Sequence, residues 1–417
     1  MIGLVDGNNF FVSCERVFDP SLEGKAVAVL SNNDGCCISR SNEFKALQIP
    51  MGTPYFQLRH LVKRYDLHFR SSNYALYGDM SRRIIMTLNE FVPLVEQYSI
   101  DEAFIHPALP DSTDFHAFGC RIRETVLRWV GIPCGMGFAP TKTLAKIANH
   151  IGKKHPSGVF VMPPNPAEVL KKLPVSEVWG IGGRLAPKLE KCGITTAYAL
   201  SQCDPAELKK RFSVVLAKTA LELRGVICIE NEDPEEVSQS ISCSRSFGHP
   251  VTEFADLEES VAAYTARAAE KLRREKQYAS GANVYFQMYP EKGDFPQPGM
   301  YTSTTVPFAL PTDDTAKMMQ AIRPKLKGLF VPGRRYKKSG VLFYGLETGE
   351  NKTDDLFAPR EEQESSELFK VVDQLNARYG RGTLFTLGEG IKKEWQMKRT
   401  LLSPDYTTSW DQLLKVK

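Results

Sequence analysis

A chain of 417 residues is too long for one hydrophobic core and points to several domains. Its 42% hydrophobic and 24% charged content exclude a disordered or collagen-like chain, and no apolar run approaches the ~18 residues of a membrane-spanning helix. A net charge of only +4 does not announce a polyanionic partner, so any such surface must be local.

Residues 2–5 (IGLV) and 26–30 (AVAVL) are apolar runs of strand length, and 31–35 (SNNDG) is turn chemistry. Residues 39–49 are expected to form a helix ending at Pro50, and 81–91 another. Residues 94–105 (LVEQYSIDEAFI) read as a strand or hairpin, 118–130 as a helix and 131–139 as a glycine-interrupted strand. This alternation predicts an α/β or α+β sandwich. In the next helix, 141–154, Leu144, Ile147, Ala148 and Ile151 share one face, while Lys142, Lys146 and Lys153 share the opposite one. Spacing alone allows a solvated basic face there as readily as a phosphate-facing one.

The Pro- and Gly-rich residues 155–165 mark a domain edge. Residues 173–193 read as a short helix, a Gly180-Ile181-Gly182 turn and a second helix closed by Gly193. That pattern resembles a helix-hairpin-helix, whose backbone amides can hold a phosphate. Acidic residues 230–240 suit an exposed linker. A further unit, 241–348, has a helix at 258–276 that should bury Val261, Tyr264, Ala268 and Leu272 beside a stripe of Arg267, Lys271 and Arg274. Arg334, Arg335, Lys337 and Lys338 cluster around Tyr336. Each basic feature alone fits a solvated surface; together they fit a nucleic-acid backbone better. The polar stretch 349–366 carries the apolar pair Leu356 and Phe357, the kind of anchor that docks on a partner.

Nine cysteines, without a Cys-x-x-Cys pair or a zinc-spaced Cys/His cluster, read as reduced thiols of a cytoplasmic protein. The N-terminus lacks a basic region and meets Asp6 early, so no signal peptide is expected. Asp6 ends the first strand, and Asp101 and Glu102 interrupt a later one. Three carboxylates at strand ends can converge on Mg²⁺, which needs few protein ligands and takes the rest from water and phosphates. Neighbours on a straight strand point to opposite faces, so Asp101 and Glu102 can share a site only if the chain bends there. Without a bend they are exposed hairpin carboxylates.

Read in order, "LSNNDGC", "SSNYALYGDMS", "YSIDEAF", "TKTLAKIANH", "VWGIG", "CSRSFG", "ARAAEKLR", "GRGTLF" and "WQMKRTLLSPDYTT" make the chain resemble the Y-family translesion DNA polymerases essentially end to end. The resemblance implies an α+β multidomain fold, a right-handed polymerase. Its parts would be a ferredoxin-like palm (1–10 and 70–167), small fingers (11–69), a helix-hairpin-helix thumb (168–230), a linker (231–240), an α/β little finger (241–348) and a C-terminal tail (349–417). It implies that Asp6, Asp101 and Glu102 are the catalytic, Mg²⁺-binding carboxylates, with two ions per site. Phe10, Phe11, Ser39, Lys45 and Lys153 would meet the incoming dNTP, Phe11 as the steric gate that clashes with a ribose 2′-hydroxyl. Gly180, Gly182 and the two basic groups would grip primer-template DNA, and Leu356 and Phe357 would meet the sliding clamp. Further implied partners are a processed UmuD dimer and the recombinase filament, in the SOS response, with no membrane partner.

Three positions depart from the family pattern: Phe11 where Tyr is common, Asn42 where several relatives carry Tyr, and Thr353 where the clamp pentapeptide usually begins with Gln. A non-catalytic DNA- and partner-binding module and another palm-type nucleotidyl enzyme are the rival readings. The intact carboxylates oppose the first, and the duplex-gripping features oppose the second.

Overall fold

In the computed structural model, residues 1–110, 112–231, 237–290, 300–349 and 366–413 are described; the expected clamp segment with Leu356 and Phe357 lies outside them. Two compact units divide the chain, Met1–Asp233 with Leu401–Lys417, and Pro234–Thr400. No helix among the described residues is long and apolar enough to cross a membrane.

The first unit is organised by β1 (Ile2–Gly7), buried along its whole length. Such burial requires cover on both faces of the sheet, and the sequence alternates accordingly. Val5 enters one core, while Ile2 and Leu4 enter another. The other strands are β2 (Ala26–Leu30), β3 (Cys37–Arg40), β4 (Leu67–Ser71), β5 (Leu94–Gln97), β6 (Glu102–His106), β7 (Cys134–Ala139) and β8 (Val159–Val161). They form a five-stranded sheet, β5-β6-β1-β7-β8, and a three-stranded sheet, β3-β2-β4. In the larger sheet only β7 and β8 pair in parallel.

The helices of this unit are α1 (Phe10–Phe18), α2 (Asn42–Ala46), α3 (Tyr55–Leu58), α4 (Val62–Tyr65), α5 (Tyr74–Asn89), α6 (Phe115–Val130), α7 (Lys142–Gly152), α8 (Ala167–Lys172), α9 (Ala186–Glu190), α10 (Ala197–Gln202), α11 (Pro205–Arg211) and α12 (Val214–Glu222). One face of the large sheet packs on α1, α5 and α6. The other packs on α7, whose Leu144, Ile147 and Ala148 continue into the core of the helices beyond Ala167. Gly137 lets α7 lie this close: a Cβ there would stand 2.1 Å from the Asn149 amide nitrogen.

Residues 39–40 are strand, not the start of a helix. Ser39 and Arg40 pair with Val29 and Ala28, and the helix begins only after Ser41, whose hydroxyl accepts from the Phe44 amide. Sheet pairing overrides local helix preference at this edge.

The second unit pairs β9 (Ile241–Val251), β10 (Gln277–Met288), β11 (Tyr301–Thr312) and β12 (Tyr336–Thr348) in the order β11-β10-β12-β9, all antiparallel. Helices α13 (Phe254–Arg274) and α14 (Thr315–Leu326) supply its core, and Val261, Tyr264, Ala268 and Leu272 are all buried. Helix α15 (Ser366–Tyr379) joins this unit through a two-pronged contact of Arg273 with Asp373, at 2.6 and 3.0 Å. Trp395 is buried between Phe247 and Tyr264.

At Leu401 the chain returns to the first unit. The Ser71 amide donates to the Leu401 carbonyl at 2.9 Å, and the Leu401 amide donates to the Ser71 hydroxyl at 3.0 Å. Two residues on, Ser403 is buried, and Tyr406 stacks on Phe18 at 4.9 Å between ring centroids.

Candidate active site

The bend that the carboxylate pair requires is present. β5 ends at Gln97 and β6 starts at Glu102, so Asp101 sits in the turn rather than on a straight strand. The turn is fastened by the Tyr98 and Ser99 amides donating to the Glu102 carbonyl, at 3.1 and 3.0 Å. The Gly7 amide donates to the Asp101 carbonyl at 2.8 Å, tying the turn to the end of β1. Glu102 stands directly opposite Asp6 across the β1–β6 pair. Strand alternation sends Ile2, Leu4 and Asp6 to the α7 face, together with Glu102 and Phe104. The Asp101 side chain accepts a 2.6 Å hydrogen bond from Ser99.

Helix α7 answers these carboxylates with cations. Lys153, one residue past the helix end, donates to Asp6 at 2.5 Å, and Asn149 donates to the same oxygen at 3.4 Å. Lys146 donates to Glu102 at 2.7 Å, with its ammonium 4.3 Å from the Tyr98 ring and 5.0 Å from the Trp179 ring. Lys142 is only 2% exposed and bonds Glu96 at 2.7 Å and the Glu230 carbonyl at 2.8 Å. The solvated basic face allowed by the spacing is corrected for Lys142 and Lys146, which are covered because they neutralise carboxylates on β5 and β6 beneath the helix; Lys153, past the helix end, pairs with Asp6 of β1 but stays exposed. Glycine helps again, since a Cβ at Gly135 would meet Lys153 and Asn149 at 2.8 and 2.9 Å.

Burial pushes the Asp6 carboxyl up to about 6; Lys153 pulls the other way, and Glu102 and Asp101 add to the rise. Among the described residues no three carboxylate, imidazole or thiolate side chains close into a ready-made metal cage. The donor set nevertheless suits a hard cation. Asp6 and Glu102 face each other at one sheet end with Asp101 in the adjoining turn, and the first two already hold ammonium groups where positive charge is needed. Mg²⁺ asks for no more than this from a protein.

The raised value of Asp6 carries a stability prediction. Its folded pKa lies above the ordinary carboxylate value, so ionisation opposes folding. The favourable contribution is present below about pH 4 and lost as pH rises through about 6. In chelator at pH 8, Asp6→Asn is expected to stabilise the chain by on the order of 2 kcal/mol, with the gain vanishing near pH 4. Thermal melts at the two pH values decide; equal melting temperatures at pH 8 would remove the argument.

Phe11 lies on α1 with its ring stacked on Tyr77, at 4.5 Å and 15°, and edge-on to Tyr74 at 5.9 Å. Phe10 is buried in the core behind it, 5.9 Å from the Phe11 ring. Lys45 donates to Asn9 at 2.5 Å, and Asn9 donates to Asn42 at 3.0 Å. Asn42 thus supports the Asn9–Lys45 contact. Burial, Arg40 and Lys153 hold the Lys45 ammonium below its ordinary value, which puts three cations near one another beside Asp6. Ser39 is buried on the Cys37 side of β3, while Arg40, on the alternate side, is the β3 residue whose charge Lys45 feels.

Sequence reasoning missed Asn9, Arg40, Ser99 and Asn149. Only Asn149 left a readable signal, since it lies on the α7 stripe four residues before Lys153. Asn9 is held at φ 50°, a left-handed position that the Asn-rich stretch at 8–9 tolerates.

Gly180 has φ +83°, and open space surrounds the Cβ position of both Gly180 and Gly182. The turn precedes α9, which carries Pro187 in its first turn, and Gly193 follows at φ +80°. In the second unit, Arg267 pairs with Glu270 on α13, whereas Arg274 is exposed and Lys271 half-buried. Arg335 and Lys337 lie over Tyr289 at 5.4 and 6.0 Å, and Lys338 over Tyr285 at 5.8 Å. Arg334 is half-buried.

A chimera of the Y-family DNA polymerases Dbh and Dpo4 superposes with a TM-score of 0.64 at 21% identity, over 84% of this chain and all of that one. The fold is therefore that of the Y-family DNA polymerases. The impB/mucB/samB family model matches residues 5–150, its C-terminal domain 238–356 and the family's HHH motif 167–194. A domain of unknown function, DUF4113, matches 366–416. Protein UmuC of Salmonella typhimurium is 42% identical over the full length of both chains, and Protein MucB of Escherichia coli 38% over 98% of each. The chain belongs to the impB/mucB/samB family.

Proposed function

We propose that the chain is a DNA-directed DNA polymerase for error-prone translesion synthesis in the SOS response, transferring the nucleotidyl group of a dNTP to a primer 3′-hydroxyl on damaged template with release of diphosphate. The observation that carries this reading is Asp6 and Glu102 facing each other across β1 and β6, with Asp101 in the adjoining turn. Residues 1–10 and 70–167 act as palm, 11–69 as fingers, 168–230 as thumb and 241–348 as little finger, followed by a tail.

Asp6, Asp101 and Glu102 would hold two Mg²⁺ ions, which would supply charge neutralisation for the phosphoryl displacement. Lys153 and Lys45 receive the triphosphate of the incoming nucleotide, Lys153 exchanging its bond to Asp6 for one to phosphate. Asn9 holds Lys45 in place for this. Phe11 closes the sugar side, where its ring excludes a 2′-hydroxyl. Positioning and electrostatics supply most of the rate, since phosphoryl transfer needs little covalent help. The Gly180–Gly182 turn, the Arg267, Lys271 and Arg274 stripe and the 334–338 cluster track the DNA backbone. A processed UmuD dimer, the recombinase filament and the clamp are the partners, in the cytoplasm. Extension of a primed abasic template, with and without these partners, tests the whole reading; no extension under any combination would overturn it.

The basic cluster has its own expected result. Replacing Arg334, Arg335, Lys337 and Lys338 with Ala should weaken primer-template binding. It should also flatten the salt dependence by about 0.9 in log–log slope for each phosphate no longer neutralised. Fluorescence anisotropy across a salt series measures this. An unchanged slope would place these cations away from DNA.

A further inference from the structure

The region matched by the domain of unknown function ends in a segment that reaches the interior of the first unit. Ser403 is buried, and its hydroxyl donates to Glu15 Oε1 at 3.1 Å. The same oxygen accepts from the Tyr77 hydroxyl at 2.6 Å. Glu15 is 1% exposed on α1, one turn after Phe11, and Tyr77 is the ring on which Phe11 stacks. Asn73 fastens the segment from the other side. Its amide donates to the Ser403 hydroxyl at 3.1 Å and to the Ser403 and Pro404 carbonyls at 3.3 Å, while its own side-chain oxygen caps α5 by accepting from the Leu76 amide. The Leu401–Ser71 pair and the Tyr406–Phe18 stack hold the two ends.

A buried carboxylate with one phenol partner keeps spare acceptor capacity, which is expensive to leave unfilled. Ser403 fills it. Among the described residues it is the only hydroxyl besides that of Tyr77 bonded to Glu15. We propose that residues 401–406 form a strap that positions the sugar gate, with Ser403 acting through Glu15 and Tyr77 to hold the Phe11 ring. Ser403, Glu15 and Tyr77 are positioning residues in this scheme, and the strap makes strictness against ribonucleotides depend on a segment beyond the whole of the second unit. The inference rests on the reading of Phe11 as the gate.

The test compares incorporation of a dNTP and the matching rNTP by the full chain, with its partner dimer where extension requires it. Ser403→Ala is expected to narrow the ratio of the two kcat/KM values three- to tenfold, the worth of about one hydrogen bond. The narrowing should come chiefly from faster rNTP incorporation, and Ser403→Thr, which keeps the hydroxyl, should retain the wild-type ratio. Tyr77→Phe keeps the stacked ring but removes the other bond to Glu15, and should narrow the ratio without any change to the strap. It also serves if Ser403→Ala does not fold. Phe11→Ala is measured alongside. If its ratio is unchanged, the gate reading falls and the strap with it. If Phe11→Ala relaxes the ratio while Ser403→Ala and Tyr77→Phe do not, the strap alone is overturned. An equal fall in both nucleotides would likewise overturn it, leaving a merely structural contact.

Discussion

Asp101→Asn is expected to lower primer extension in Mg²⁺ on the order of 10³-fold while leaving primer-template affinity unchanged. The substitution is nearly isosteric. The side-chain oxygen that accepts from Ser99 survives in the amide, and the turn is fixed by backbone bonds to Gly7 and Glu102 that the change does not touch. What is lost is one negative charge at the junction of β1 and β6, beside Asp6 and Glu102. A purely structural role for Asp101 would therefore leave extension almost intact. Single-turnover incorporation at the wild-type rate would remove Asp101 from the chemistry; loss of DNA binding in parallel would point to the turn instead.

Phe11→Ala should raise ribonucleotide incorporation on the order of 10²-fold relative to deoxynucleotides, the scale on which a shaped pocket rejects one added hydroxyl. Rings at positions able to swing aside discriminate poorly. Phe11 is stacked on Tyr77 and wedged edge-on against Tyr74, and Tyr77 is itself fully buried and bonded to Glu15. Exclusion by a ring held this firmly comes from shape alone, so the absence of a hydroxyl at Phe11 should not weaken it. A discrimination ratio unmoved by the substitution would mean that the sugar is checked elsewhere.

What the sequence disclosed followed the range of the interactions involved. Asp6, Asp101 and Glu102 were legible because two are adjacent and the third ends a short apolar strand. The bend that makes them neighbours was a stated requirement rather than a reading, since it depends on pairing between β1 and β6. The lysine stripe of α7 was visible in its spacing. Its pairing was not, because the partners Asp6, Glu96 and Glu102 lie on three strands, 147, 46 and 44 residues away in the chain. Residues 39 and 40 were misread because EFKALQI favours a helix locally, whereas the edge of the smaller sheet needed a partner for β2. The contact of Glu15 with Ser403 spans 388 residues and left no local trace.

That last separation bears on the order in which the protein is made. A ribosome delivers β1 and β6 first and residue 403 only after the whole of the second unit has emerged. Until then Glu15 has Tyr77 but not Ser403, and the junction of α1 and α5 lacks its final hydrogen bonds. A nascent chain, or one cut short by a premature stop anywhere in 234–400, would carry all three acidic residues and an incomplete support for the ring beside them. Passage of the ribosome beyond the second unit is thus written into the packing of the first structure to form.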